Sequence, residues 1–391
     1  MATLNTTNIK HASSSTNNIV LNADGSTTIP NLSVGPNRNL IINGAMQVAQ
    51  RGVSATGLAA NGYATVDRFS ATQSGTDDYI EQHQVDVSSG TTPYTEGFRK
   101  AFQIKNGNQT GGAGAADFIS YAYRIESQDI ANSGWNYNSA SSFVTLSFWI
   151  KSSVAQTFKG YIKTHYSTQY GYSFETGSLT ADTWTKITKT IPGNANLTFQ
   201  NTKDVGFELV LGGFWGTDYT DNSVTENAWA AYANGTRMKD NTSTWYTTND
   251  ATLEITGVQL EVGSVATDFE HRSFGQELAL CQRYFYQIDG SNNEIAGIPS
   301  GFFGSSEFFI LIKFPVTMRA TPSFTGSSTA FRAVGAADSG SKNLNNLVIW
   351  GTGLPTSMAL SCNQTSGGTA GYAGAMQFQA DNGFLQFSSE L

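Results

Sequence analysis

From Asn39 onward the chain runs in short stretches where apolar and polar residues alternate, each closed by a cluster of Gly, Ser, Thr, Asn or Asp. That period places successive side chains on opposite faces of a strand. DDYIEQHQVDV (77–87), FRKAFQIKN (98–106), FISYAYRIE (118–126), FVTLSFWIKS (143–152), TFKGYIKTHYS (157–167), YSFETGSL (172–179), WTKITKTI (184–191), DVGFELVLGGFW (204–215) and TLEITGVQLEVG (252–263) all read as strands. In FVTLSFWIKS, Val144, Leu146, Phe148 and Ile150 share one face. In TLEITGVQLEV, Leu253 and Ile255 fall on the face of Gly257, Gln259 and Glu261, so the alternation breaks near a glycine. Glycine inside a strand marks a bulge. Strands at this spacing over residues 39–272 predict an antiparallel jelly-roll β-sandwich.

The period then changes. Ser273 can cap a helix, and Gln276 completes an S-x-x-Q capping box. Phe274, Leu278, Cys281 and Phe285 form one helical stripe, which predicts a connector helix over 273–285. So short a helix needs packing. Its stripe either packs within the chain or joins a short bundle around a symmetry axis. β-patterning resumes in FFILIKFP (308–315), SFTGSS (323–328), FRAVGA (331–336), NLVIWGTG (346–353), SMALSCN (357–363) and FLQFSSEL (384–391). These predict a second, smaller β-sandwich domain over 286–391, with QTSGGTAGYAGAM (364–376) as a flexible glycine-rich loop. Residues 1–38 are poor in apolar side chains. NNIVLNA (17–23) and STTIPNLSV (26–34) flank Asp24-Gly25, a hairpin signal. A segment this small cannot bury a core, so it either orders against another chain, as an anchor or trimerising piece, or frays.

Composition supports the all-β picture. Charged residues are 13% of the chain, about half the usual share. Low hydrophobicity can mean disorder, but 24 Phe, 16 Tyr and 7 Trp supply ample area to bury. The net charge of −8, with no Lys/Arg cluster, argues against nucleic acid as a partner. MATLNTTNIKHASSS has no apolar signal-peptide core, and there is no apolar run of about 18 residues. Two cysteines, Cys281 and Cys362, are too few for a disulfide framework. The chain is expected to fold in a reducing cytoplasm, although its composition looks extracellular; a virion component released by lysis satisfies both.

Catalytic patterns are missing. The chain has no G-x-S-x-G, H-E-x-x-H, C-x-x-C or phosphate-loop motif, and its four histidines are scattered. No enzyme activity and no cofactor are expected. Two features remain. The loop GTDYTDNS carries Asp218 and Asp221, and reads either as an exposed polar turn or as oxygen ligands for a structural calcium. Aromatic residues crowd the region after Phe214: Trp215, Tyr219, Trp229, Tyr232, Trp245 and Tyr246. They are either core residues or a stacking platform for sugar rings. Without a secretory signal, sequons such as Asn196-Leu197-Thr198 read as accidental.

NLIINGAMQVAQRG (39–52), TGVQLEVGSVATDFEHRSFGQELALCQRYFYQ (256–287) and FLQFSSEL (384–391) resemble tail-fibre and virion structural proteins of tailed bacteriophages, especially marine ones. In that group an N-I-I-N-G opening strand and a G-V-Q-L-E-x-G closing strand bracket a jelly roll similar to carbohydrate-binding modules. The R-x-x-x-x-E-L-x-L-C-Q-R-Y connector is matched by Arg272, Glu277, Leu278, Leu280, Cys281, Gln282, Arg283 and Tyr284. TNIKHASSSTNNIVLNADGS (7–26) resembles the virion-anchoring end of such fibres. The resemblance implies a homotrimeric, non-enzymatic virion protein. Residues 1–38 would attach to other tail or adaptor proteins, and the sandwiches would face host polysaccharide or lipopolysaccharide. Weak sugar sites, near millimolar, would gain avidity from three copies. The rival readings are a non-adhesive decoration or adaptor protein of head, neck or tail, and a glycan depolymerase.

Overall fold

The computed structural model describes residues 6–10, 12, 19–21, 27–28, 38–327, 330–335, 342–364, 369–381 and 383–391. Asp24-Gly25, most of the 1–38 leader and positions 365–368 lie outside them. Three short strands, β1 (Asn8–Ile9), β2 (Ile19–Leu21) and β3 (Thr27–Thr28), pair antiparallel, β2 with β3 at Val20↔Thr28 and Leu21↔Thr27.

The body of the chain is a jelly-roll sandwich of two six-stranded antiparallel sheets. Its strands are β4 (Ser54–Leu58), β5 (Phe69–Ser74), β6 (Ile80–Asp86), β7 (Lys100–Lys105), β8 (Phe118–Glu126), β9 (Phe143–Ser152), β10 (Thr157–Thr164), β11 (Tyr170–Ser178), β12 (Thr185–Pro192), β13 (Val205–Trp215), β14 (Trp229–Ala231) and β15 (Thr252–Val262). One sheet runs β14-β11-β10-β13-β8-β5 and the other β12-β9-β15-β7-β6-β4. Inward residues of both make one core: Ile119, Tyr121 and Tyr123 from one sheet meet Leu146, Phe148 and Ile150 from the other. Three short helices, α1 (Thr92–Thr95), α2 (Ser127–Ala131) and α3 (Thr244–Thr247), interrupt the strands.

The break in β15 is a bulge. Its partner β9 advances from Trp149 to Ser147 while β15 advances from Thr256 to Gln259, one residue more. Gly257 sits there at φ +63°, with Phe98 where a Cβ would go. The extra residue moves Val258 and Leu260 into the core beside Leu253 and Ile255, and turns Gln259 and Glu261 to the other face, where both are buried. The NLIING stretch, expected as an opening strand, is instead a buried turn clasped to this bulge. Asn39 Nδ2 donates to Val258 O at 3.0 Å, and Leu260 N donates to Asn39 Oδ1 at 3.0 Å. Gly44 lies so close to Val258 O that a side chain would collide with it.

The connector helix is α4 (Phe274–Gln282), shorter than its stripe, and its capping box is formed by Ser273 and Gln276. Beyond it lie β16 (Phe285–Gly290), β17 (Ile295–Phe302), β18 (Glu307–Lys313), β19 (Ser323–Gly326), β20 (Phe331–Gly335), β21 (Lys342–Ile349), β22 (Ser357–Gln364), β23 (Ala373–Phe378) and β24 (Gly383–Ser388). They do not make the expected sandwich. β17-β18-β22-β21-β20-β23 close into a barrel, and β16-β24-β19 form a separate three-stranded sheet. Part of the expected glycine-rich loop is β23, which closes the barrel between β17 and β20.

The junction between the two domains is a buried charge network. Arg68, 1% exposed, pairs with Glu390 and covers the ring of Tyr284 at 3.4 Å. Arg283 makes two 2.8 Å bonds to the Glu126 carboxylate, which also accepts from Tyr284 Oη at 2.6 Å. Arg272 and Glu277 grip the backbone of the NLIING turn, Arg272 Nη1 donating to Ile41 O at 3.2 Å. The stretches 39–52, 256–287 and 384–391 thus converge on one scaffold joint.

Candidate functional site

The aromatic residues singled out by sequence do not assemble into one platform. Trp245 and Tyr246 are fully buried in the main core, where Trp245 Nε1 donates to Thr252 O at 3.0 Å. They offer no face to a ligand. Trp229 is half-buried against the same core and its Nε1 donates to Pro192 O at 2.7 Å. Trp215, 3% exposed, is stacked between Phe118 at 4.3 Å and the Arg237 guanidinium at 4.6 Å. Only Tyr219 and Tyr232 of the six keep partial exposure beside Arg237 on the outer face of the β10 sheet.

The helical stripe is divided in a similar way. Cys281 and Phe285 are buried within the chain, Phe285 already in β16 with Arg51 over its ring at 3.4 Å. Leu278 is half-buried and Phe274 is 56% exposed, so a continuous apolar stripe is not presented to a second copy. Asp218 and Asp221 are exposed, and Ser223 lowers the pKa of Asp221 through its side chain first and then through its backbone N–H, which donates to Asp221 Oδ1 at 2.7 Å. Among the described residues no group of three or more His, Cys, Asp and Glu side chains is placed to hold a metal ion.

A groove that the sequence patterns did not single out lies in the C-terminal barrel. β17 and β18 pair only over Ser300↔Ile310, Gly301↔Phe309 and Phe302↔Phe308. Before Ser300 the first strand leaves β18 and stays with β23 through a bulge. It advances from Ile295 to Pro299 while β23 covers two residues, and Pro299 has no N–H to give a ladder. The splayed strands leave a groove of about 840 Å³. Tyr286, Ile288, Ile298, Pro299, Leu311 and Trp350 are among the residues that line it.

Trp350 is held at the groove's rim. Its N–H donates to Ala359 O at 2.9 Å, which fixes the backbone against β22. Its ring packs edge-on against Phe309, 4.9 Å away, and Phe309 in turn meets Phe303 at 4.9 Å. Trp350 still exposes 55% of its surface, Leu311 56%, Leu354 56% and Phe303 66%. Lys313, Thr352, Thr356 and Ser357 add hydrogen-bonding groups along the same groove. A fixed aromatic face beside apolar walls and a few hydroxyls can stack one face of a sugar ring and bond its hydroxyls.

No protein-family model matches the chain, and no curated protein matches it. Solved structures are similar in part. The enzymatically active domain of tailspike protein 4 from bacteriophage CBA120 matches over 59% of this chain and 22% of that one, at 10% identity and a TM-score of 0.31. A family 11 carbohydrate-binding module from Clostridium thermocellum matches over 55% and 97%, at 10% identity and 0.25. The N-terminal cellulose-binding domain of a Cellulomonas fimi glucanase matches over 56% and 99%, at 12% identity and 0.26. At this distance these likenesses carry no argument about function.

Proposed function

We propose that this chain is a tail-fibre-type virion structural protein of a tailed phage that binds saccharide on the host surface through the barrel groove at Trp350. The observation that carries the binding reading is Trp350 itself, a large ring held rigid by Phe309 and left 55% exposed over a groove of about 840 Å³. An apolar surface of this kind is rarely left uncovered without use. The virion assignment rests on the sequence motifs at 39–52 and 256–287. Residues 1–38 attach to tail or adaptor proteins, the protein acts as a homotrimer, and it works by adhesion without catalysis or cofactor. Three weak sites on one particle raise the effective affinity.

The test is binding of full-length protein to immobilised bacterial polysaccharides and lipopolysaccharides, beside Trp350→Ala. Loss of the ring's contact weakens binding at least about tenfold, the scale of an aromatic hot spot, while the melting temperature holds because the ring is largely exposed. Equal binding by both proteins would overturn the groove as the site. A purely structural role as decoration or adaptor predicts no saccharide bound by either.

A further inference from the structure

The protein carries a net charge of −8, yet two cations on the outer face of the sandwich make no direct ion pair among the described residues. Lys163 of β10 and Arg237, in the loop after β14, both approach the ring of Tyr232, with Lys163 Nζ 4.3 Å and Arg237 Cζ 5.9 Å from its centroid. Among the described residues no carboxylate lies within ion-pair distance of either. The acid opposite Lys163 in the ladder, Glu208, is already engaged: Arg124 Nε bonds one oxygen at 2.9 Å and His165 Nε2 the other at 3.1 Å. Lys159, on the same face of the same strand, is by contrast held between Glu175 at 3.1 Å and Glu226 at 2.8 Å.

Arg237 is held by its packing. Its guanidinium lies 4.6 Å from the Trp215 ring centroid and 4.7 Å from that of Tyr219, and its Nε is buried with no hydrogen-bond partner. Ring stacking offsets part of the desolvation. It does not remove the repulsion between two half-buried cations. Burial pushes the Lys163 ammonium down, Glu208 opposes this, and Arg237 adds to it. An anion bound beside these cations offsets their positive charge.

We propose that Lys163 and Arg237, with the rings of Tyr219 and Tyr232, bind an anionic saccharide, the cations taking its carboxylate or phosphate and a tyrosine ring its C–H face. The sugar part rests on the glycan-binding reading above, but the site lies in a different domain from Trp350, so the two fail separately. The test is calorimetric titration of the full-length protein with tetragalacturonate, with its carboxyl-reduced neutral counterpart and with glucose 1-phosphate. Either acidic probe is expected to bind, and which one binds identifies the charge that the site takes. Lys163→Gln and Arg237→Gln should each weaken that binding at least about fivefold, and raising NaCl from about 50 to about 500 mM should weaken it further. The neutral tetrasaccharide should not compete, and Trp350→Ala should leave acidic binding unchanged. If Arg237→Gln unfolds, the half-exposed Lys163→Gln still decides. Failure of both acidic probes to bind, or binding that persists in the variants, overturns the proposal.

Discussion

Trp245 lies in the polar, threonine-rich stretch NTSTWYTT and Trp350 follows the apolar run LVI, yet the first is fully buried and the second 55% exposed. Burial is decided by partners far along the chain, and Trp245 finds its hydrogen bond on Thr252 and its packing in both sheets. A faint signal for Trp350 did exist: NLVIW loses the two-residue alternation, and Val348 and Ile349 are exposed as well. The buried acids carry a pH prediction. Burial raises Asp67 to about 6 against the pull of Arg51 and Gln50, so its contribution favours the fold at low pH and is lost as pH rises from about 4 through about 6. Burial also pushes Glu208 up, but His165 and Arg124 hold it down at about 2, so its contribution is present above about 4.5 and is lost as pH falls towards 2. Melting temperature should therefore peak near pH 4–5, and Asp67→Asn should flatten the decline between pH 4 and 6. A melting temperature that climbs steadily from pH 4 to 7 contradicts this.

At the scale of elements, the long strands were legible because they bury one face against a core. β8 and β9 fall where their alternation places them. Two barrel strands lack such faces in the sequence, whereas β5, although it buries Phe69 and Ala71, is too short to show an alternation. β17 reads IAGIPSGF, and its glycines and proline imitate a loop; β23 reads AGAMQF and owes its pairing to β17 and β20. Closure into a barrel depends on these two, which is why a sandwich was expected instead. The bulge at Gly257 was visible as a broken alternation, and its purpose appears only in three dimensions, where it docks the NLIING turn. Gly257→Ala puts a methyl against the Phe98 ring, at 2.7 Å before relaxation, and forces φ +63° on a residue with a side chain. A loss of about 1–3 kcal/mol in denaturant unfolding is expected. A variant as stable as the parent would mean the bulge relaxes freely.

At the scale of the whole molecule, the stretches 39–52 and 256–287 fix the joint between the domains and say nothing of the ligand. Arg68, Glu390, Glu126, Arg283 and Tyr284 hold the barrel's base against the sandwich. Glu390→Gln leaves Arg68 buried without its carboxylate, a change expected to destabilise by about 3–5 kcal/mol. Limited proteolysis should then cut near residues 283–291 while the sandwich survives; an unchanged digestion pattern would show that the apolar contacts alone hold the joint. With the barrel fixed in this way, Trp350 stands at a set position relative to the body of the protein. Its contact with saccharide is the central claim, and the most direct measurement is saturation-transfer NMR on oligosaccharides released from bacterial envelopes, using parent protein and Trp350→Ala. Transfer to sugar C–H protons in the parent that vanishes in the variant is the predicted result. Undiminished transfer in the variant, or none in the parent, would contradict it.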